Sequence, residues 1–574
     1  MKKLQHSAWL ACVVGGVALA SACGGDDSDN PATGGSSASG GSSAKGGTGG
    51  TGAKGGKGGS GNEGGDETGG TGGTGKGGSS GKGGSSASGG SANSSTGGTG
   101  DTGNIGGMSD GGTGEETGAG NGGTGPEPEV CDIYADREIA DIPTDVDGNV
   151  EFGGEDELTL TSDKTWRING RIFVGDGKTL NIDPCTLVIG TRKPNAGSLF
   201  IMRGGKLNAV GTKDKPIVFS SDDFQFHPSA PWGGVVLLGK SVVGPNVGTA
   251  LGDQEKLFEG MTDTRATFGG DDTHDSSGSL SYVRIEYGGD IIAADKEVNG
   301  LTFGAVGDGT TINHIMVKRQ MDDCFEFFGG TVNADHLICQ DTGDDMFDTD
   351  LDFRGHLQFL FGRLLTYGTS SDPNGFEWDG NQDNQNGSEE AGTPHAANAT
   401  VCGLGVKAPA VGYGAVLRRR LQPGTSLINT IVTGFDAGTD TRDAVGTTTP
   451  MEPVVSWTHS LFFGNFGVLP TATPANPAGF DNYGVPGETD NDAAFDEVAW
   501  LTDASFNNGN GDDNATLLGV APEGFDCYST PPSPPTSKIA GAAPGDGFDT
   551  SADFVGAVED ADHNWMTGAW VNWD

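Results

Sequence analysis

Four short segments of this chain superpose on one another: Asn299-Gly-Leu-Thr302, Asp323-Cys-Phe-Glu326, Asp345-Met-Phe-Asp348 and Asn374-Gly-Phe-Glu377. Their third residues, Leu301, Phe325, Phe347 and Phe376, are spaced 24, 22 and 29 residues apart. A period of twenty-odd residues, carried by strand-like rather than helix-like segments, argues for a stack of β-coils. No single coil can bury its inner face. Stacking places Leu301, Phe325, Phe347 and Phe376 in one interior apolar ladder. It also aligns Asp323, Asp345 and Asn374 at a turn, and Glu326, Asp348 and Glu377 beside them. The longer third interval predicts an outward loop around 370–374.

The rest of the chain from about residue 127 has the same texture. Short apolar-alternating runs such as Thr179-Leu-Asn-Ile182, Ile217-Val-Phe219 and Val235-Val-Leu-Leu238 are separated by Gly, Asn and Asp. Period-two alternation between turn residues reads as strand. Helical periodicity is confined to about 492–501, where Asp492 would cap a helix carrying Phe495, Val498 and Leu501. The expected fold is all-β, a right-handed parallel β-helix over 127–490 with a small C-terminal cap region over 491–574 packed on it. A large β-sandwich is the alternative, with shorter strand spacing and antiparallel returns.

Several segments resemble a family of secreted bacterial proteins with a pectin-lyase-like β-helix. They include Gly175-Asp-Gly-Lys-Thr-Leu-Asn-Ile-Asp-Pro184, Arg203-Gly-Gly-Lys-Leu-Asn-Ala-Val-Gly-Thr212, Pro216-Ile-Val-Phe-Ser220 and Trp232-Gly-Gly-Val-Val-Leu-Leu-Gly239. Tyr282-Val-Arg-Ile-Glu-Tyr287, Asp322-Asp-Cys-Phe-Glu-Phe-Phe-Gly-Gly330 and Asp344-Asp-Met-Phe-Asp348 extend the likeness, which covers roughly residues 160–400. The resemblance implies the parallel β-helix and little about function. At one position the chain departs from the pattern: Cys185 stands where a turn glycine is usual, which implies a local disulfide.

The first thirty residues have a different character. Lys2 and Lys3 precede a small, apolar stretch over 8–20 that ends in Ala20-Ser21-Ala22-Cys23. That is the pattern of a secretory signal, and it falls short of the roughly 20 apolar residues that span a bilayer. Cys23 resembles the lipobox cysteine of bacterial lipoproteins. The resemblance implies cleavage after residue 22 and a diacylglycerol and palmitate-type acylation on Cys23. Gly24 in the second mature position is not an inner-membrane retention signal, so the implied location is the outer membrane at the cell surface. Residues 23–126 are low-complexity Gly, Ser and Thr, which cannot bury enough apolar surface to fold. About 100 such residues reach roughly 50–60 Å, a disordered tether. Within it, Gly70-Thr-Gly-Gly-Thr-Gly75 matches a dinucleotide fingerprint by letter, yet no strand precedes it and no helix follows.

The formal charge is −45, from 33 basic and 78 acidic residues. Nucleic acid is excluded as a partner, because phosphate binding needs clustered Lys and Arg. Polysaccharide or a surface protein remains as partner, beside the lipid anchor. With Cys12 lost in the signal and Cys23 acylated, Cys131, Cys185, Cys324, Cys339, Cys402 and Cys527 remain. This even number permits three disulfides, and the sequence does not choose among the pairings.

The acidic repeat is where chemistry is expected. Asp322, Asp323 and Glu326 lie one coil from Asp344, Asp345 and Asp348, with Asp350 and Asp352 following at alternating positions on one strand. Coils stack about 4.8 Å apart, and carboxylates that close repel unless protonated or bridged by a cation. Calcium accepts six to eight oxygens in loose geometry, so it is the expected ion; no organic cofactor is expected. Solvated acidic turns that cap backbone amides are the plainer interpretation. Two function classes follow. One is a glycan- or partner-binding module with calcium as cement. The other is a polysaccharide lyase or glycoside hydrolase, with Asp323 and Asp345 as candidate catalytic carboxylates and Arg284, Lys318 or Arg319 as a candidate lyase base. His274, His314 and His336 fall on different segments, and no nucleophile elbow is present.

Overall fold

In the computed structural model, residues 131–223, 231–244, 254–293, 296–366, 373–380, 393–405, 416–419, 425–435, 440–442, 455–463, 503–509 and 521–574 are described. The signal segment, Cys23, the glycine-rich stretch 23–126 and the short helix expected at 492–501 lie outside them, as does most of the loop expected at 370–374. Among the described residues only two short 3-10 turns are helical, Thr264–Ala266 and Ala504–Phe506, and no helix is long and apolar enough to cross a membrane.

The strands stack in parallel, coil upon coil, with three faces to each coil. Face 1 begins with Glu157–Leu160, Thr179–Ile182 and Lys206–Val210. Face 2 begins with Glu138–Asp141, Lys164–Ile168, Leu187–Gly190 and Ile217–Ser221. Face 3 runs from Arg171–Val174 through Ser198–Ile201, Val235–Leu238, Leu301–Gly304, Phe325–Phe328, Phe347–Asp350 and Phe376–Asp379 to Val416–Arg419 and Asp440–Arg442. All of these pairings are parallel, which makes the fold a parallel β-helix and removes the sandwich alternative.

From the strand Gly278–Glu286 onward, faces 1 and 2 are two halves of one bent strand. Residues 278–281 pair with Lys206–Val210, while 283–285 pair with Ile217–Ser221. The residue skipped between them, Tyr282, has a left-handed φ of 52°. The same bend recurs at His314, His336, Phe359, Asn398 and Asn429, with φ between 53° and 59°. Left-handed backbone is unfavourable for a residue with a Cβ, by roughly 1–2 kcal/mol each. The compensation lies in what these residues touch.

They hold the C-terminal segment. Residues 521–574 run along the flank over the bends, opposite to the order of the coils. Asn429 Nδ2 donates to the Ala542 carbonyl at 2.7 Å and Asn398 Nδ2 to the Phe554 carbonyl at 2.6 Å. Gln358 and Asp549 exchange bonds. Trp565 and Trp570 pack edge-on to His336 and Tyr282. Cys402–Cys527 ties the start of this segment down covalently, and Arg363 donates to the Cys527 and Ser529 carbonyls.

The core lies inside the coils. Leu199, Val235, Leu301, Phe325, Phe347 and Phe376 stack in register. Phe325, Phe347 and Phe376 are fully buried, with ring centroids 5.5 Å apart at each step. The interior ladder expected from the repeat is therefore present and continues toward the N-terminal coils. A second, outer cluster lies on the early part of face 3, where Phe258, Met261, Ala266 and Phe268 of the segment before Gly278 cover Phe200, Val236 and Phe328.

Removing a ring from the middle of the ladder leaves a cavity between two rigid coils. Phe347→Ala is expected to lose about 3–5 kcal/mol, measured as a lower urea midpoint. A loss under about 1 kcal/mol would show that the ladder is not load-sharing.

Candidate functional site

The outward column of face 3 changes chemistry from coil to coil. In register it reads Phe200, Val236, Thr302, Glu326, Asp348 and Glu377. The apolar members Phe200 and Val236 lie in the outer cluster, which reaches Phe328 on the strand of Glu326. Strand alternation forces this outward direction, because the neighbours Phe325, Phe327 and Phe347 face the core.

Beside this column the turns that enter face 3 form a second ladder. Asn299 Oδ1 accepts from the Asp323 amide at 3.2 Å, Asp323 Oδ1 from the Asp345 amide at 2.7 Å, and Asp345 Oδ1 from the Asn374 amide at 2.8 Å. Each side chain thus caps the coil that follows it. Asp323 and Asp345 are buried, and each commits one oxygen to this ladder. Cys324 is disulfide-bonded to Cys339 of the next coil through the core, which fixes the turn from beneath.

Two trios of carboxylates bring one oxygen each within 4.8 Å of one another: Asp322, Asp323 and Asp344, and Asp323, Glu326 and Asp348. Asp323 belongs to both. Burial pushes Asp322, Asp323, Glu326, Asp345 and Asp348 well above the ordinary carboxylate range, and the neighbouring acids add to it. Those neighbours are Glu297 and Glu259 for Asp322, Asp322 and Asp348 for Asp323, and Glu326 and Glu377 for Asp348. Lys296 is the cation acting on Asp322, and it is also paired with Glu259 at 3.0 Å. Asp348 Oδ1 is buried without a hydrogen-bond partner among the described residues. Such a donor set fits a hard dication: all oxygen, excess negative charge, and an oxygen with no proton donor of its own.

The family profile described as "Pectate-lyase like beta helix domain" matches residues 153–468. The chain belongs to this pectate-lyase-like β-helix family. No curated protein and no solved structure matches it. Membership fits a module that binds glycan or acts on polysaccharide.

Several predicted residues of this pectate-lyase-like chain occupy places the sequence did not foresee. Asp350 ends the strand Phe347–Asp350, and Leu351 and Asp352 follow in left-handed conformation with φ of 52° and 65°. Asp350 and Asp352 therefore do not alternate on one strand. Arg284 lies on face 2 instead of the acidic turn, bonded to Glu286 at 2.5 Å and to Tyr134 at 2.9 Å. Lys318 and Arg319 both donate to Asp574, and burial draws Lys318 down to about 8. The Cys185 disulfide is not local: its partner is Cys131, 54 residues away, and Cys185 takes the left-handed φ of 68° that suits the usual glycine. The disulfides are thus Cys131–Cys185, Cys324–Cys339 and Cys402–Cys527. His314 and His336, read as scattered, stack with ring centroids 4.3 Å apart. Their 22-residue spacing matches that of Phe325 and Phe347, a signal the sequence did contain. His274 stays apart and exposed, against Asp308.

The raised carboxyls set the sign of a pH effect. Between the ordinary range, about 4, and their raised values, the folded chain holds more protons than the unfolded one. Stability is then present at low pH and lost as pH rises through that window. In a chain stripped of divalent ions, the melting midpoint is expected to fall by roughly 5 °C or more between pH 4.5 and neutrality. Millimolar calcium should restore it. A midpoint flat over this range and indifferent to calcium would remove the electrostatic description of the face.

Proposed function

We propose that this chain is an exported, lipid-anchored surface protein whose β-helix binds an extracellular polysaccharide through calcium held on the acidic part of face 3. The observation that carries the proposal is the run Glu326, Asp348 and Glu377 across three consecutive coils, with two carboxylate trios on the first two of them sharing Asp323 and Asp348 Oδ1 without a hydrogen-bond partner among the described residues. Asp322, Asp323 and Asp344 would hold one ion, and Asp323, Glu326 and Asp348 another. Calcium takes six to eight oxygens, so a trio leaves coordination positions for sugar hydroxyls or uronate carboxylates. Export and anchoring rest on Lys2, Lys3, the apolar run and Ala22-Cys23, with the long tether holding the domain clear of the lipid at the outer membrane. Disulfides are at home in such a compartment.

Binding is favoured over catalysis by how the carboxylates are grouped: the oxygens of each trio lie within 4.8 Å of one another, which suits ligands shared by one cation. Asp323 and Asp345, the catalytic candidates, each already accept a backbone amide. Among the described residues, the candidate bases Arg284 and Lys318 are engaged with Glu286 and Asp574.

The test is affinity electrophoresis of the chain in gels containing neutral or uronate polysaccharides, with calcium or chelator, and reducing ends assayed in parallel. Calcium-dependent retardation in one polymer is expected, weakened at least tenfold by Asp348→Asn or Glu326→Gln, without new reducing ends. Retardation that ignores both calcium and these substitutions would overturn the proposal, and release of reducing ends would replace binding with catalysis.

A further inference from the structure

The bends between faces 1 and 2 bring a second set of metal-ligating side chains together, away from the acidic turns. His314 and His336 occupy equivalent positions on consecutive coils, because Asn313 pairs with Asp335 and Ile315 with Leu337 in the strand register. Both histidines sit at left-handed bends, φ 53° and 55°, so the backbone fixes where each imidazole projects. The rings are nearly parallel, 6° apart, with centroids separated by 4.3 Å. Asp335 lies beside them, with its Oδ1 2.5 Å from His336 Nδ1. One ligand atom from each of His314, His336 and Asp335 falls within 4.8 Å of the other two.

Packing explains part of this arrangement. Tyr282 stacks on His314 at 4.3 Å and Phe359 lies against His336 at 4.6 Å, so the column is a ring stack beneath Trp565 and Trp570. Packing alone does not call for imidazoles in its middle, nor for a carboxylate at the edge. The Asp335 side chain is 47% exposed and that of His336 21%, so the ligand edge is open to solvent. Trp565 also packs against the stack, its ring at 90° to His336 with centroids 4.8 Å apart.

We propose that His314, His336 and Asp335 form a binding site for a borderline transition-metal dication, with Zn2+ as the type case and solvent completing the shell. Two imidazoles and a carboxylate suit zinc better than calcium, which prefers oxygen alone. Zinc lies about 2.0–2.1 Å from each imidazole nitrogen, so its two nitrogens stand at most about 4.2 Å apart. The rings, stacked nearly parallel, must tilt toward each other so that both in-plane lone pairs reach the ion. An ion here would clamp two neighbouring coils at the point where Trp565 and Trp570 dock. The site is independent of the carboxylate face, sharing no residue with it.

The test is titration of the full chain with Zn2+ by calorimetry, in millimolar calcium to occupy the carboxylate face, with Co2+ as a spectroscopic probe. One equivalent is expected, with visible cobalt bands showing nitrogen ligation in a four- or five-coordinate site. His336→Phe and His314→Phe keep an aromatic ring in the stack and should abolish both signals. Asp335→Asn, at an exposed position, should weaken binding at least tenfold with the melting midpoint of the metal-free chain unchanged. Asp323→Asn should leave zinc binding intact. Absence of saturable binding, binding unaffected by the histidine substitutions, or loss in Asp323→Asn instead would overturn the assignment.

Discussion

Parallel hydrogen-bonding between coils is the constraint from which everything else in this molecule follows. It fixes equivalent residues about 4.8 Å apart and offers them no freedom to slip. The consequence depends entirely on what is repeated. Repeated phenylalanines gain dispersion and burial, as Phe325, Phe347 and Phe376 do. Repeated carboxylates accumulate repulsion, as Asp323, Glu326 and Asp348 do. Repeated imidazoles acquire a shared edge, as His314 and His336 do. One geometric rule yields a core, an ion-attracting face and a ring stack.

The acidic face is tolerable because stability is supplied elsewhere. Beneath it run the phenylalanine ladder and the Cys324–Cys339 disulfide. Beside it the Asn299, Asp323 and Asp345 side chains each accept an amide from the following coil, so part of the negative charge meets the backbone dipoles that best accommodate it. The apolar cover formed by Phe258 and Phe268 reaches Phe328 on the strand of Glu326, and the charge of Glu259 in that same segment acts on Glu326.

Much of this was legible in the sequence, and the limit has a physical basis. The inward ladder could be read from Leu301, Phe325, Phe347 and Phe376, because a coil-to-coil register converts a sequence interval directly into a contact. The same conversion placed Asp323 above Asp345 and Glu326 above Asp348. It would have placed His314 above His336 had the interval been applied to residues outside the acidic motif. What could not be read were contacts with no period behind them. Cys131 meets Cys185 and Cys402 meets Cys527 through segments that lie outside the repeat. The end of the strand at Asp350 depends on two consecutive left-handed residues, Leu351 and Asp352, that no alternation rule announces.

The C-terminal segment has a consequence for how such a molecule comes together. A solenoid held only by neighbour contacts gains and loses its coils one at a time. Here Tyr134, near the start of the described fold, and Asn572, two residues from its end, both bond the buried Glu286, beside Arg284 and under the Trp570 carbonyl. A chain made from its N-terminus cannot complete that ionic knot until residues 570–572 have emerged and run back over six bends. Cooperativity is thereby imposed on an architecture that otherwise lacks it. Loss of residues 570–574 would be felt at the coil of Gly278–Glu286, nearly three hundred positions earlier in the sequence.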